Sequence, residues 1–165
     1  MAKFPTEVER SVTVNVPLGH AYQFLWDVAG SARCIPGIDA CKRVGKDTYR
    51  FTYQERSTGP VSMLVRYTAR YRGNGIDEIS FEGTAAADDN TDVSGVLSLE
   101  PHGAEATRIV LRQMVAPDTP IPRLLQSLIK SFVEREAIDA VQQYLGNVKR
   151  TLEKQSKVQR PKSKG

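Results

Sequence analysis

Cysteine and histidine are scarce in this chain of 165 residues, with two of each. Cys34 and Cys41 stand seven positions apart and no export signal is recognised before them, so we expect reduced thiols rather than a disulfide. His20 and His102 show no metal-binding spacing such as that of a His-Glu-x-x-His motif. The sequence therefore predicts no metal site.

Long apolar runs are missing as well. No stretch approaches the roughly 18 consecutive apolar residues of a membrane-spanning helix, and the N-terminal residues do not form the apolar core of a signal peptide. With 40% hydrophobic and 25% charged residues, the composition is typical of a globular domain that forms a core without disulfides or metals. We therefore expect a soluble, cytoplasmic protein.

Sequence signatures of nucleotide binding and of nucleophilic catalysis are also absent. There is no nucleophile elbow, phosphate-binding glycine loop or dinucleotide fingerprint, and the glycines at Gly73 and Gly75 are not followed by a predicted helix. His20 starts a predicted helix and His102 lies in a predicted turn, so either one acts as a general base only if it faces a cavity. The sequence predicts no cofactor and leaves the catalytic residues, if there are any, unassigned.

Positive charge is concentrated at one end of the chain. Residues 149–165 contain seven Lys and Arg against Glu153 alone, a net charge of +6, so residues 1–148 carry −2 of the total of +4. A basic segment of this kind can serve solubility or make a weak contact with an anionic membrane. No aromatic side chains interleave with its charges, so we expect no specific nucleic-acid site.

The domain boundary is predicted from the same segment. From Gln155 onward only Val158 is apolar, and Pro161 interrupts any helix. A segment with so few apolar residues cannot bury enough surface to offset the entropy of ordering it. We therefore predict one ligand-binding domain over residues 1–154 and a basic disordered tail over residues 155–165.

The longest amphipathic stretch runs from Pro120 to about Lys154. Apolar side chains recur there at spacings of three to five residues, which predicts a long helix with one apolar face. Asp118 and Thr119 can cap its start, and prolines are tolerated in a first helical turn. Such a helix needs a large apolar surface opposite it. The predicted stripe consists of Ile121, Leu125, Leu128, Phe132, Ala137, Val141, Tyr144 and Val148, widened by Leu124, Ile129, Val133 and Leu145.

The rest of the sequence predicts strands and two short helices. Glu7–Val16 alternates valines with polar residues, as in a strand with one buried face. Leu18–Val28 changes to helical spacing, and a second short helix follows Gly30 and ends near Pro36. Six antiparallel strands joined by turns come next. Their predicted bounds are Asp39–Val44, Thr48–Glu55, Val61–Arg72, Glu78–Ala86, Asp92–Glu100 and Ala106–Ala116.

Local segments add a family resemblance to this order of elements. They are Thr13–Pro17 with Ala21–Val28, Ile35–Ile38, Gly59–Met63, Leu97–Pro101 and Thr107–Arg112. Over residues 8–153 the chain resembles the SRPBCC or START-like helix-grip superfamily, which includes polyketide cyclases/dehydrases, coenzyme Q-binding proteins and the G-type subunit of carbon monoxide dehydrogenase. The resemblance implies an α+β fold with a curved seven-stranded antiparallel sheet around a long C-terminal helix, and two short helices after strand 1. It carries no single catalytic signature.

A cavity between the sheet and the long helix is the next expectation, because a strongly curved sheet and a straight helix cannot close-pack everywhere. Such cavities are mostly apolar and suit a hydrophobic small molecule such as a lipid, a quinone or a polyketide-like compound. Each inward residue can instead be ordinary core, since aromatic and methionine side chains pack cores well. The candidate lining residues are Phe51, Tyr53, Met63, Val65, Tyr67, Phe81, Leu97, Leu111, Gln113, Leu125, Ile129, Phe132 and Val133.

Gln113 is the most distinctive candidate because it is polar. It stands in phase with Leu111 and Val115, on the inward face of its strand. A buried amide needs hydrogen-bond partners, which can be a ligand, a tyrosine or a main-chain group. The arginines of the same strands stand out of phase, so we expect them on the solvent side of the sheet, paired with glutamates across strands.

Three functions are consistent with these features. The first is a non-catalytic module that binds or transports a hydrophobic small molecule, because the predicted cavity comes without a catalytic set. The second is a polyketide cyclase or dehydratase, which requires Gln113, Tyr53, Tyr67 or a histidine to converge inside the cavity. The third, implied by the resemblance to the carbon monoxide dehydrogenase branch, is an accessory protein that recruits or matures a larger enzyme. The sequence assigns no oligomeric state.

Overall fold

The structure, a computed structural model, describes residues 2–3, 5–58, 61–119 and 121–159. The elements follow the predicted order of a strand, two short helices, a run of strands and a long C-terminal helix, with three short strands that were not predicted as separate elements. The strands are β1 (Ala2–Lys3), β2 (Thr6–Val14), β3 (Ile38–Gly45), β4 (Thr48–Tyr53), β5 (Arg56–Thr58), β6 (Val61–Met63), β7 (Arg66–Gly73), β8 (Glu78–Gly83), β9 (Thr91–Pro101) and β10 (Thr107–Thr119). The helices are α1 (Leu18–Trp26), α2 (Val28–Ser31) and α3 (Gln126–Gln159), with 3-10 turns at Ala32–Cys34 and Arg123–Leu125.

One antiparallel sheet contains every described strand except β5 and β6. Its order is β1-β10-β9-β8-β7-β4-β3, and β2 also pairs along β10. Without the two-residue β1, this is the predicted seven-stranded sheet. Side chains on its inner face line up across strands: Phe81 is opposite both Tyr71 and Gly95, and Gly95 is opposite Gln113. The register thus brings aromatic rings and one amide into a single row.

Helix α3 packs its apolar stripe onto this inner face. Ala137, Val141, Leu145, Val148 and Leu152 are buried in the same core as the inward residues of β4, β8, β9 and β10. Each fully buried Leu or Val side chain contributes about 1.5–3 kcal/mol. The α+β arrangement of a sheet around a long C-terminal helix is confirmed. None of the described helices combines the length and the apolarity that a membrane crossing requires.

Hydrogen bonds anchor the second half of α3, residues 143–159, whereas residues 126–142 form its first half. The Asn147 side-chain amide donates to the main-chain oxygen of Cys34 at 2.9 Å. Lys149 Nζ donates to the main-chain oxygen of Thr13 at 2.8 Å. The first bond holds the helix to the 3-10 turn after α2, and the second holds it to β2, so this half has a defined position on two sides.

The predicted strand Val61–Arg72 is divided in two by the structure. Asn90 ends the alternation there: its Oδ1 accepts from the Arg66 main-chain N–H at 2.9 Å, and its Nδ2 donates to the oxygen of Leu64. Before this break, β6 pairs with β5 in a separate two-stranded hairpin. A side chain from the loop between β8 and β9 therefore interrupts a pattern that is continuous in the sequence.

Helix α3 begins and ends later than predicted. It starts at Gln126, and the side chains of Leu124 and Leu128 are 97% and 70% exposed, so their assignment to the apolar stripe is wrong. The helix continues through residues 155–159, which were predicted as disordered, because Lys and Gln readily extend a helix that packing has already nucleated. Residues 160–165, the remainder of the predicted tail, lie outside the described residues.

Candidate ligand-binding site

Two adjoining chambers lie between the sheet and α3. The inner chamber has a volume of about 80 Å³ and the outer chamber about 480 Å³. They meet at residues that border both. These shared residues are Pro36, Tyr53, Tyr67, Gln113 and Ala140. The outer volume falls in the usual range for a small-molecule pocket, whereas the inner one has room for only part of a ligand.

The inner chamber is lined by three structural units: the sheet, the middle of α3, and the short helices with the turn that follows them. Apolar side chains dominate its walls, and no residue in them is charged. A cavity of this kind is a low-dielectric environment, in which an unpaired charge is strongly disfavoured. Besides the shared residues, its walls are Leu25, Val28, Ser31, Ala32, Ile35, Phe51, Tyr71, Phe81, Leu97, Leu111, Val141 and Tyr144.

The outer chamber extends along the first half of α3 and is apolar inside with a charged rim. Its apolar walls come from β7, β9 and β10 on one side and from α3 on the other. The residues that it does not share with the inner chamber are Gly37, Gln54, Glu55, Arg56, Val65, Val93, Val115, Pro117, Phe132, Val133, Glu136, Ala137, Asp139 and Gln143.

An ion pair crosses the outer chamber at its rim. Arg56 Nη1 donates to Glu136 Oε2 and so connects the start of β5 with α3. Glu55 and Asp139 also border this chamber. With three carboxylates against one guanidinium, the rim has an excess of negative charge, which disfavours the approach of an anionic ligand.

A pair of tyrosine hydroxyls stands where the chambers meet. The Tyr53 and Tyr67 hydroxyl oxygens are 3.0 Å apart and form a hydrogen bond. The Tyr67 ring also stacks on Phe51, with ring centroids 4.9 Å apart. Burial raises the pKa of Tyr53 to about 12 and the pKa of Tyr67 well above its ordinary value of 10. At neutral pH both hydroxyls are therefore protonated and serve as hydrogen-bonding groups rather than as bases.

Two further tyrosines of the inner chamber also resist ionisation because they are buried. Burial raises the pKa of Tyr71 and of Tyr144 well above 10, and Tyr144 is the largest additional influence on Tyr71. Outside the chamber lining, on β3, burial also raises the pKa of the Cys41 thiol to about 11. Tyr71 on β7 and Tyr144 on α3 line the chamber from opposite elements, so its low polarity is not confined to one wall.

Gly95 gives the inner chamber its aromatic wall. A Cβ atom at this position would lie 2.4 Å from Phe81 Cζ and 2.7 Å from the main-chain oxygen of Arg112. Only a residue without a side chain lets the Phe81 ring lie against the sheet here. The ring therefore occupies the sheet surface, and the volume above it stays open.

Comparisons with known proteins bear on the fold. No family model matches the chain, and no curated protein matches it. Among solved structures, the Zhui aromatase/cyclase from a Streptomyces species is 19% identical with a TM-score of 0.66, and the match covers 92% of this chain and 96% of that one. A START superfamily protein from Mycobacterium smegmatis is 15% identical with a TM-score of 0.64, covering 90% and 98%.

A third similar structure is the lipid transfer and protein localization domain of human StarD13. It is 10% identical with a TM-score of 0.56, and the match covers 88% of this chain and 76% of that domain. The chain has the START-like helix-grip fold. Identities this low show a shared fold alone, so the chemistry of this helix-grip chain has to be argued from its own chambers.

The helix-grip structure distributes the predicted lining residues unevenly. Phe51, Phe81, Leu97 and Leu111 border the inner chamber, Val65, Phe132 and Val133 the outer one, and Tyr53, Tyr67 and Gln113 both. Leu125 and Ile129 border neither chamber; they pack with Ile121 and Val133 in a small separate cluster. The side chain of Met63 lies outside the described part of the chain. That any of these residues contacts a ligand stays a prediction.

Several residues of the inner chamber were not predicted. Leu25, Val28 and Ile35 come from the short helices and the turn after them, whose periodicity shows that one face is buried but not what covers it. Tyr71 and Tyr144 stood on inward faces in the sequence pattern, so the same periodicity could have found them. Their hydroxyls make them the most informative of the missed residues.

Neither histidine borders a chamber. His20 lies half-buried in α1, and His102 is exposed between β9 and β10. In the described part of the chain no group of His, Cys, Asp or Glu side chains could hold a metal ion. The groups that do converge are the Tyr53–Tyr67 pair and the Gln113 amide, where the two chambers meet.

Proposed function

We propose that this protein binds or transports a hydrophobic small molecule in the two chambers between the sheet and α3. The observation that supports it most is the pair of adjoining chambers, an apolar inner one and a larger outer one that share a wall at Tyr53, Tyr67 and Gln113. The combined space suits a compound of drug or lipid-fragment size. The similarity of fold to a lipid transfer domain and to an aromatase/cyclase agrees with this function.

Blocking the meeting point of the chambers tests the proposal. Ala140 borders both chambers, so the Ala140→Phe substitution places a ring between them. Gln142 is exposed on the same helix and borders neither chamber, so Gln142→Phe is the matched control. Binding is measured as fluorescence of the neutral apolar probe N-phenyl-1-naphthylamine, together with native mass spectrometry of any molecule that co-purifies.

The unmodified protein and Gln142→Phe should bind the probe, whereas Ala140→Phe should bind it at least about ten-fold more weakly, which corresponds to about 1.4 kcal/mol. Because a larger side chain can also destabilise a core by about 1–3 kcal/mol, the unfolding midpoint of each variant is measured in parallel. Equal binding by a folded Ala140→Phe variant would contradict the proposed site. A protein that is purified empty and binds no probe would contradict the function itself.

A second candidate function is that of a polyketide cyclase or dehydratase. The observation that favours it is the convergence of Gln113 with the Tyr53–Tyr67 pair, next to Glu136 in the outer chamber. Protonated phenols can polarise carbonyl groups, and a carboxylate at the rim can accept a proton. Incubation with a reactive linear poly-β-ketone tests it. The enzyme should change the ratio of cyclised products, and Tyr67→Phe or Glu136→Gln should restore the uncatalysed ratio.

A further inference from the structure

The inner chamber combines apolar walls with polar groups that differ in whether they have partners. In the Tyr53–Tyr67 pair one hydroxyl donates to the other at 3.0 Å, and the Ser31 hydroxyl donates to the main-chain oxygen of Val28 at 3.4 Å. These three side chains also border the chamber. Each of them therefore has one hydrogen-bond partner within the protein, although the accepting hydroxyl of the tyrosine pair still has its own proton to donate.

The remaining polar groups of the chamber are different. Within the described part of the chain, the hydroxyls of Tyr71 and Tyr144 and the amide of Gln113 make no side-chain hydrogen bond. Tyr71 is on β7, Gln113 on β10 and Tyr144 on α3, so they approach the same small volume from separate walls. All three side chains are part-buried, and none of their polar atoms is among the fully buried atoms that lack a partner in the described part of the chain, so these atoms keep accessible surface that a ligand or a water molecule in the chamber can contact.

We propose that the inner chamber receives an uncharged carbonyl or hydroxyl group at one end of the hydrophobic ligand, held by Tyr71, Tyr144 and Gln113. This inference rests on the proposed function and specifies the chemistry of its ligand. Two phenol O–H donors and an amide, which both donates and accepts, match a neutral oxygen. The chamber volume of about 80 Å³ takes such a group with a few neighbouring atoms, and the apolar remainder of the ligand lies in the outer chamber.

Charged head groups do not suit the chamber. A carboxylate would find no cation among the lining residues, and an ammonium group would find no carboxylate. An anion would also have to pass Glu55, Glu136 and Asp139 at the rim, against Arg56 alone. The raised pKa values of Tyr71 and Tyr144 have the same cause, since burial disfavours negative charge at these sites. The inner chamber therefore excludes the carboxylate head group of a fatty acid and favours the neutral oxygen of a ketone, a phenol or an alcohol.

A series of naphthalene probes with one variable group tests this inference by calorimetric titration. 2-Acetylnaphthalene carries a neutral carbonyl, 2-ethylnaphthalene has nearly the same shape without it, and 2-naphthoate is anionic. Because the ethyl compound is more hydrophobic, burial alone would favour it. We expect the acetyl compound to bind about ten-fold more tightly than the ethyl compound, and the naphthoate to bind more weakly than both.

Two tyrosine variants assign the effect to the chamber. Tyr71→Phe and Tyr144→Phe should each weaken acetylnaphthalene binding about three- to ten-fold and leave ethylnaphthalene binding unchanged. The unfolding midpoints of both variants should stay the same, because the lost hydroxyls have no protein partner. Tyr49→Phe is the control: Tyr49 is also a sheet tyrosine and touches Tyr71 edge-on, but it borders neither chamber.

The possible failures are distinguishable. Equal affinity for the acetyl and ethyl compounds, or variants that weaken both alike, would overturn the inference and leave the proposed function standing; the hydroxyls would then be satisfied by water. Tightest binding of the naphthoate would overturn it as well. Failure of all three compounds to bind would overturn the proposed function together with the inference.

Discussion

The two halves of α3 are held to the rest of the molecule in different ways. In the second half, Val148 and Leu152 are fully buried, and the side chains of Asn147 and Lys149 donate to main-chain oxygens of the neighbouring turn and of β2. Glu153 there accepts a further hydrogen bond from the Asn15 main-chain N–H at 2.9 Å. This half is part of the core and contributes Tyr144 to the wall of the inner chamber.

The first half of α3 has weaker connections up to Glu136, before Ala137 and Val141 join the core. Ile129 and Val133 pack only in the small separate cluster, and Leu128 is 70% exposed. The side chains of Arg56 and Glu136, which join this half to β5, are themselves 68% and 36% exposed. Since segments with few buried contacts open at low free-energy cost, the first half is the wall that we expect to move when a ligand passes.

The largest expected effect comes from comparing one Leu→Ala substitution in each half of α3. Leu152→Ala removes a side chain that is 0% exposed and should lower the free energy of unfolding by about 2–5 kcal/mol. Leu128→Ala, made on the exposed part of the same helix, should change it by less than about 0.5 kcal/mol. Urea denaturation followed by circular dichroism measures both. Similar losses for the two variants would contradict the difference between the halves.

Sequence periodicity could not predict this difference between the halves. Leu128 and Leu152 both occur at positions that a helical pattern allows to be buried, because a period shows the direction of a side chain and not whether anything lies opposite it. The same limit explains why Leu125 and Ile129 were predicted to line the cavity and instead pack beside it. The inward faces of β4, β8, β9 and β10 were predicted well, because strict alternation leaves only one possible buried side.

Contacts between residues far apart in the chain could not be predicted from the sequence either. The break between β6 and β7 depends on Asn90, which is 26 residues from Leu64 in the chain. The contribution of α1 and α2 to the inner chamber likewise depends on how they dock on the sheet. What could be predicted was therefore the fold and most inward positions, while the division into two chambers required the structure.

Two glycine substitutions compare the sheet wall of the inner chamber with helix α3. Gly95→Ala puts a Cβ atom 2.7 Å from a main-chain oxygen that cannot rotate away, so it should destabilise the protein by about 1–3 kcal/mol. Gly146→Ala is the matched change in α3, where the nearest atom is Arg150 Nη1 at 3.7 Å. It should stabilise by about 0.5–1 kcal/mol, because alanine is the better helix former. Thermal unfolding measures both, and a stable Gly95→Ala variant would contradict the tight packing of Phe81 on the sheet.

Alkaline pH should lower the free energy of unfolding, because the inner chamber contains buried tyrosines. Burial raises the pKa of Tyr67, Tyr71 and Tyr144 above the ordinary value of 10, so the folded protein keeps protons that the unfolded chain loses. Stability is then complete below about pH 10 and falls as the pH rises from there towards the pKa values of the folded state. Each such tyrosine removes about 1.4 kcal/mol per pH unit in this window.

The variant Tyr144→Phe isolates one of these groups on the anchored half of α3. Its free energy of unfolding, measured in urea between pH 8 and pH 11, should fall less steeply above pH 10 than that of the unmodified protein, by about 1.4 kcal/mol per pH unit. Tyr49→Phe is a control for the loss of a phenol that lies outside the chambers. An unchanged slope in Tyr144→Phe would mean that this hydroxyl is not buried from solvent in the folded protein.

The substitution Arg56→Ala should have the smallest effect on the free energy of unfolding and the clearest effect on the rates of ligand binding and release. Arg56→Ala removes the ion pair with Glu136, and an exposed pair of this kind contributes only about 0–1 kcal/mol. If the pair holds the first half of α3 against β5, its loss should speed both association and dissociation of N-phenyl-1-naphthylamine, by up to about five-fold. The probe is neutral, so the changed charge at the rim does not by itself alter its approach.

Stopped-flow fluorescence measures these rates, and Arg112→Ala supplies the control. Arg112 forms an ion pair with Glu9 at 2.8 Å that does not involve α3, so its loss should leave the rates unchanged. Salt of about 1 M screens exposed pairs and should speed the unmodified protein towards the rates of Arg56→Ala, with little effect on that variant. Equal rates in all three proteins would show that ligand access does not depend on the first half of α3, since the pair would then join two parts that do not separate during binding.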